Sequence, residues 1–572
     1  MRACRHLGLA VLAIAASSGC NSAGVGSEAA GMSSMSSDRS TYDAERRAIE
    51  ESDIYRVDGS FLYVLNAETG LSILDVSDPR APELVGRLAV RSGAGELYVR
   101  ESRVFILFDE LESPCSLPAG FDVGQSQGWS ELLALESAPA NPTEARRYCL
   151  PGVMLASRLL GDILYVVVNE ETWGDWDETW QTWVLSFDVS DPRDVTLADA
   201  LAVPGLGQEV HVTSRAIYLT QPVLDDTTGA ASTSIQYVDI ADAEGTLSPR
   251  GQITVPGNPM GRFHMDALDG QFRIVTYDAT TASSDLHVVD WSQLDAPRLV
   301  GSLTQIAPGE ELHATYFVGD RAYIVTYLRT EVWEYDPLWI VSLENPTQPE
   351  ILGELQLPGW SDFVFPIGNR LVGVGRGDMG NGIGVALFDI SSPRNPTLLR
   401  RLEFGSPGAT SEANVDFRGV QIVEPGVIGD NGLVAVPFDD WFVTESGCED
   451  PGHYVQLVDV RPDDLAARGH VELRGAARRA LPIGDRLYAI DEQDVSAIDI
   501  DDRSSPAVTV RVQIGDGQVQ TGHCEIFGSL VQVTGDAAGC SASGLPVRSG
   551  PGSAVASALA FLLFALALRR GR

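Results

Sequence analysis

The sequence predicts an all-β fold, a single β-propeller of four-stranded antiparallel blades, on three observations. First, a phrase recurs: Asp75-Val76-Ser77-Asp78-Pro79-Arg80-Ala81-Pro82 returns as Asp188-Val189-Ser190-Asp191-Pro192-Arg193 and as Asp389-Ile390-Ser391-Ser392-Pro393-Arg394-Asn395-Pro396, each time closing an apolar run. Second, weaker copies end at Asp239, Asp290, Ser342, Asp459 and Asp499, and Glu131-Leu132-Leu133-Ala134-Leu135 fills the wide gap after Asp75, so nine units are counted. Third, no helical period interrupts residues 50 to 535, and the runs between turns are short and rich in branched and aromatic side chains. A four-stranded unit of about 50 residues cannot bury both faces alone and stacks radially on its neighbours.

Within a unit, a Gly-Asp or Asp-Gly turn precedes a strand such as Phe61-Leu62-Tyr63-Val64, Ile163-Leu164-Tyr165-Val166, Ala322-Tyr323-Ile324-Val325 or Arg486-Leu487-Tyr488-Ala489. The anchor strand follows, then a third such as Glu83 to Leu88 or Glu350 to Leu355, and a fourth that leads into the next turn. In the anchor, the first Asp and the Ser are expected to accept hydrogen bonds from the turn backbone, while Pro fixes φ and stops the strand. Residues 523–533 add two strands after the ninth unit, which leaves a terminal unit shared or incomplete, with eight blades as the alternative count.

The repeat occupies 46–536, so the two ends stand apart. Arg2 and Arg5 precede an apolar run from Leu7 to Ala16, the shape of a signal peptide over 1–20. Ser17-Ser18-Gly19-Cys20 resembles a bacterial lipobox with Cys20 as the acylated residue, although Ser17 replaces the usual aliphatic. Residues 21–45 read as a flexible tether, 537–552 as a polar spacer, and 553–572 as an apolar helix with an arginine tail. Gly539-Cys540-Ser541 followed by that helix and Arg569, Arg570 and Arg572 resembles a myxobacterial C-terminal sorting signal, with Cys540 at the trimming point. Both ends predict an exported protein held at the cell envelope or outer surface by membrane anchors.

Seventy-nine acidic against 40 basic side chains give a net charge of −39, which repels phosphate backbones and excludes nucleic acid as a partner. Of seven cysteines, Cys115, Cys149, Cys448 and Cys524 remain once the terminal three are set aside. Three disulfide pairings are open. Sharing the second unit favours Cys115 with Cys149, leaving Cys448 with Cys524, and no Cys/His spacing supports zinc.

The stretch from Glu310 to Gly375 carries Asp320-Arg321-Ala322-Tyr323-Ile324-Val325-Thr326-Tyr327, Asp336-Pro337-Leu338-Trp339, Gly353-Glu354-Leu355, Pro358-Gly359-Trp360-Ser361-Asp362 and Leu371-Val372-Gly373-Val374-Gly375-Arg376. These resemble the central block of the bacterial secreted β-propeller-domain proteins, distantly similar to WD-repeat proteins, and the anchor resembles a short repeat with an LVIVD signature. The resemblance spans most of residues 45–440. It implies a fold and an exported location, and brings no enzyme activity.

In a propeller the loops from second to third strand, and those from fourth strand to the next blade, surround one mouth of the channel. Here the long second-to-third-strand loops are 110–130, 170–182, 221–233, 328–336 and 438–453, and insertions gathered on one face mark a binding side. The richest places Trp173, Trp176, Trp180 and Trp183 among Glu171, Asp175, Asp177 and Glu178. Flat apolar rings beside acids suit a sugar or peptide, with Trp176 and Trp180 as the contacts and Trp173 and Trp183 as braces; cross-strand Trp pairing that binds nothing gives the same pattern. Trp360 and Asp362, near the same mouth, read as ligand contacts or as a turn that locks neighbouring blades. His264 and His313 each lie six residues before a turn glycine, matching places on innermost strands, but no third metal ligand accompanies them. Asp225-Asp226 and Asp175-x-Asp177 offer oxygens of the kind calcium takes, without the spacing of a calcium loop. No catalytic motif is present. The function expected is a ligand- or protein-binding module at the cell surface, taking a protein or glycan and needing no cofactor; the alternative is a polysaccharide hydrolase or lyase at the channel mouth.

Overall fold

The computed structural model describes residues 49–532, apart from 91–94, 112–127, 137–138, 174–177, 226, 228, 330–333, 336, 356–359, 378–381, 428, 444–447, 518–522 and 527–528. Nine four-stranded antiparallel sheets follow one another along the chain, at 55–88, 95–151, 153–204, 209–256, 265–306, 311–355, 360–404, 421–473 and 477–513. They are blades 1 to 9 of a β-propeller. Each blade begins one strand upstream of the sequence unit, so the Gly-Asp turn joins its first strand to its second, as between Val153–Leu160 and Ile163–Trp173.

The core is distributed rather than central. Nine apolar clusters are found among the described residues, one in each gap between adjacent blades. Leu62, Val64 and Leu74 of blade 1 pack on Leu481, Tyr488, Ile490 and Val495 of blade 9, so the ninth gap closes the ring. Tyr488 Oη donates to the Pro79 carbonyl at 2.9 Å, and Asn66 Nδ2 to that of Glu492 at 2.8 Å, across the same gap. Closure shares no strand between the termini, against expectation. The late hairpin His523–Ile526 and Ser529–Gln532 instead pairs with the start of blade 8's third strand, Cys448–Arg461, where the backbone register sets Cys448 opposite Cys524.

The repeated phrase is a turn that caps itself and locks the next blade. Asp75, Asp188, Asp290 and Asp389 each accept the N–H two residues on, at 2.8 to 2.9 Å. The second acceptor is Asp78 or Asp191, which bonds the N–H of Arg80 or Arg193, rather than the expected Ser, whose own N–H is the donor. Hydrogen bonds to Ser77 hold the Asp75 carboxyl below its ordinary range. The turn presses on a glycine of the preceding blade's outer strand: a Cβ on Gly86, Gly301 or Gly353 would lie 1.8, 2.0 or 2.2 Å from the carbonyl of Pro139, Pro346 or Pro393. Proline and glycine therefore recur together because they touch.

Candidate functional site

The channel axis is bridged by side chains. Before entering blade 1 the chain runs along the inner edge of blade 3, where Ile49–Glu50 pairs with Leu160 and Leu159. Glu51 then meets Arg158 of blade 3 at 3.0 Å and Arg262, just ahead of blade 5, at 3.1 Å. Ser52 donates to Glu96 of blade 2 at 2.5 Å, and its carbonyl accepts from Arg418 at 2.6 Å. Asp53 meets Arg479 of blade 9 at 2.9 Å and exchanges backbone bonds with Leu97. Arg479, 1% exposed, also holds Asp416 at 2.6 Å and Glu412 at 2.9 Å. Phe263, Phe363 and Phe417 meet as a triad, centroids 5.5 to 6.1 Å apart.

Burial alone makes such charges costly, so each carboxylate is paired. Burial pushes Asp416 up, but Arg479 and Arg418 outweigh it and leave the carboxyl at about 2. For Asp53, burial wins over the same arginines and the carboxyl is raised. Among these axis carboxylates, Glu51, Asp53, Glu96 and Asp416 are all paired with arginines.

Beside this axis network, and sharing Glu51, Arg158, Arg262 and Arg418 with it, a cleft of about 590 Å³ opens between blades 3, 4 and 5 on the face of the predicted insertions. That volume falls in the range of small-molecule sites. Its walls are Met154, Leu155, Leu206, Pro222, Pro259 and Met260, and its floor holds Glu51, Arg158, Arg262 and Gln208. Leu206 and Met260 are 38% and 58% exposed, and Val223 and Leu224, following Pro222, are 41% and 65%. Leu206 and Met260 thus rim the opening, while Val223 and Leu224 continue the blade 4 strand beyond Pro222. Asn169 fixes the connection beneath it, donating to the Gly207 carbonyl at 2.8 Å and accepting the Gly207 N–H at 3.0 Å. Arg262 is pushed down to about 10 by burial, helped by Arg158 and Arg418 and opposed by Glu51. His211, beside the cleft, falls to about 3 through burial and then the charges of Arg158, Arg262 and Arg273.

The Trp-rich insertion extends the blade 3 hairpin toward this face. Trp183 Nε1 donates to Glu170 at 2.8 Å and the ring packs in the gap between blades 2 and 3. Trp180, half-buried, stands opposite Glu171, and its carbonyl accepts the Gly205 N–H at 2.9 Å. Trp176, Asp175 and Asp177 lie outside the described residues, as do the side chains of Trp173 and Glu178. Trp360 heads a strand opposite Arg376, its side chain likewise outside.

Asp362 accepts from His313 Nε2 at 2.9 Å and from Asn414 at 2.7 Å, tying blade 6, blade 7 and the connection to blade 8. His264 does not share the strand position of His313. It closes a short 3-10 turn, Arg262–His264, because its N–H bonds back to the Gly261 carbonyl at 3.1 Å. Its Nδ1 pairs with Thr315 at 2.7 Å, and burial, then His313, lowers it to about 3. Among the described residues no group of three or more His, Cys, Asp or Glu is arranged to hold a metal. Asp225 caps its own turn through the Thr227 N–H at 2.9 Å, and Asp226 is outside the described residues. Cys149 is buried. Cys115, Cys20 and Cys540 lie outside the described residues, as do the side chains of Cys448 and Cys524.

The family model described as the beta propeller domain matches residues 40–180 and 172–503. The chain belongs to that family. Among curated relatives, an uncharacterized protein of Methanocaldococcus jannaschii is 40% identical over 144 residues, 25% of this chain and 22% of that protein. One of Archaeoglobus fulgidus is 34% identical over 163 residues, 28% and 24%. The chain thus spans about a quarter of either relative's length. Among solved structures, Kluyveromyces lactis Hsv2 is similar at 11% identity and a TM-score of 0.34, covering 62% of this chain and 99% of that one. At that TM-score the likeness bears on neither function nor blade number. Sequence reasoning missed Glu51, Arg158, Arg262, Arg418, Leu206 and Met260. For Arg262 and Arg418 a signal exists in Gly261-Arg262-Phe263 and Phe417-Arg418-Gly419, two interblade connections in which Arg adjoins both Phe and Gly.

Proposed function

We propose that this propeller is a binding module whose ligand or partner docks on the insertion face, at the cleft between blades 3, 4 and 5. The observation that carries this is the coincidence, on one face, of a ligand-sized cavity, the exposed apolar side chains of Leu206 and Met260 at its rim, and the hairpin insertions of blades 3 and 4. Exposed apolar groups gathered at a rim mark interaction sites, whereas scattered ones do not. The protein is exported and anchored at the cell envelope in this reading, which rests on the sequence of the two ends. Among the described residues no helix is long and apolar enough to cross a membrane. Disulfides Cys115–Cys149 and Cys448–Cys524 belong to the same proposal; the register of Cys448 against Cys524 supports the second. A glycan and protein-partner array probed with wild type and with Leu206→Glu/Met260→Glu tests the reading. Binding lost in the double variant supports it, and a specific binder untouched by these changes places the site elsewhere.

A further inference from the structure

The arginines of the cleft floor already hold a carboxylate. Arg158 Nη2 lies 3.0 Å from Glu51 Oε1, and Arg262 Nη2 lies 3.1 Å from Oε2, so each oxygen has its own guanidinium. Both arginines are buried, at 7% and 8% exposure, where an unpaired charge is costly. The carboxylate they hold comes from a short segment laid across the blades, not from the blade framework itself. Capacity for a further polar contact remains beside it: Arg262 Nε and Gln208 Oε1 are buried without a partner among the described residues. Leu155, Leu206, Pro222, Pro259 and Met260 supply the apolar part of the cavity wall, and Glu96, Glu209 and Arg418 also line it. In a molecule of net charge −39, this is a place where an anion meets buried cations and apolar surface together.

We propose that Arg158 and Arg262 form a carboxylate seat, that Glu51 fills it as a built-in occupant, and that the adjoining cleft admits an organic carboxylate with an apolar body that takes the place of Glu51. The proposal rests on the loop-face reading and adds the ligand's chemistry. It also makes the segment around Glu51 a competitor, so that binding is weaker than the seat alone would give.

Calorimetry on the full chain tests it with isovalerate, isovaleramide, a short peptide ending in leucine and the same peptide as its C-terminal amide. Both carboxylates, or the peptide acid alone, bind in preference to their amides; the first pattern points to free acids as the source and the second to a polypeptide C-terminus. Glu51→Gln tightens carboxylate binding at least tenfold, and Glu51→Asp, which withdraws the group by one methylene while keeping the charge, gives an intermediate gain if the neutral variant does not fold. Met260→Glu, on the exposed rim, weakens binding at least tenfold. Amides binding as well as acids, or folded Glu51 variants binding no tighter than wild type, overturn the seat. Neutral ligands whose binding is lost in Met260→Glu would overturn it while leaving the loop-face reading intact; ligand binding indifferent to Met260→Glu would remove that reading as well.

Discussion

Replacing Arg479 with Met removes the cation that ties the entry segment to the last blade. The side chain is 1% exposed and meets Asp416 at 2.6 Å, Asp53 at 2.9 Å and Glu412 at 2.9 Å. Its partners do not suffer equally. Glu412 keeps Arg478 at 2.6 Å and Asp416 keeps Arg418 at 3.0 Å, whereas Asp53 keeps the Ile54 N–H at 2.7 Å and the field of Arg418. Stranding one buried partner costs about 3–5 kcal/mol, and the surviving contacts place this case near the lower figure, about 3 kcal/mol. Urea unfolding followed by tryptophan fluorescence measures it, with midpoint and slope fitted together. Adding Asp53→Asn removes the stranded charge and restores about 1–2 kcal/mol. Losing Arg479 also lets the raised Asp53 carboxyl rise further, and a raised carboxyl gains stability on protonation, so the deficit shrinks as pH falls. A single variant within 1 kcal/mol of wild type, or a double variant worse than the single, would refute the idea that the axis is held by paired charges.

Three further outcomes are expected. Gly353→Ala forces a Cβ to within 2.2 Å of the Pro393 carbonyl, so blades 6 and 7 must part, and unfolding should cost about 1–3 kcal/mol less, as for an overpacked core. Burial pushes the Asp491 carboxyl up to about 6, so its contribution is full below the unfolded value and lost as pH rises through 6. Asp491→Asn should therefore be more stable than wild type at pH 8, by up to about 3 kcal/mol, with no advantage at pH 4; equal stability at both pH values counts against this. Peptide mapping of the protein without reductant should recover Cys448 linked to Cys524 and Cys115 linked to Cys149, and free thiols at these positions would defeat that pairing.

The fold was legible because its signal is periodic. Each Asp-x-Ser-x-Pro turn caps itself locally, and its proline carbonyl presses on a glycine three or four strands away in a neighbouring blade, so fold and sequence share one repeat. The frame of the unit was harder to see. The Gly-Asp turn is the loudest boundary in the sequence, but it is an internal hairpin, and the quieter connections between blades are the true edges. Residues 523–533 misled for a related reason: an alternating pair of strands does not say which sheet edge it will join. The insertion face was legible from loop lengths. The cleft was not, since Glu51, Arg158 and Arg262 stand far apart along the chain and converge only in the folded ring. His264 and His313 show the limit of spacing as an argument, because an equal distance from a turn glycine gave one strand residue and one 3-10 turn.

The most direct test of the central claim is a crystal structure of the protein soaked with a library of small fragments, chosen without regard to charge. The account predicts that bound fragments concentrate in the cleft of blades 3, 4 and 5, against Leu155, Leu206, Pro259 and Met260. Fragments that gather on the opposite face, or against the Asp362 and His313 pair while the cleft stays empty at saturating concentration, would contradict it.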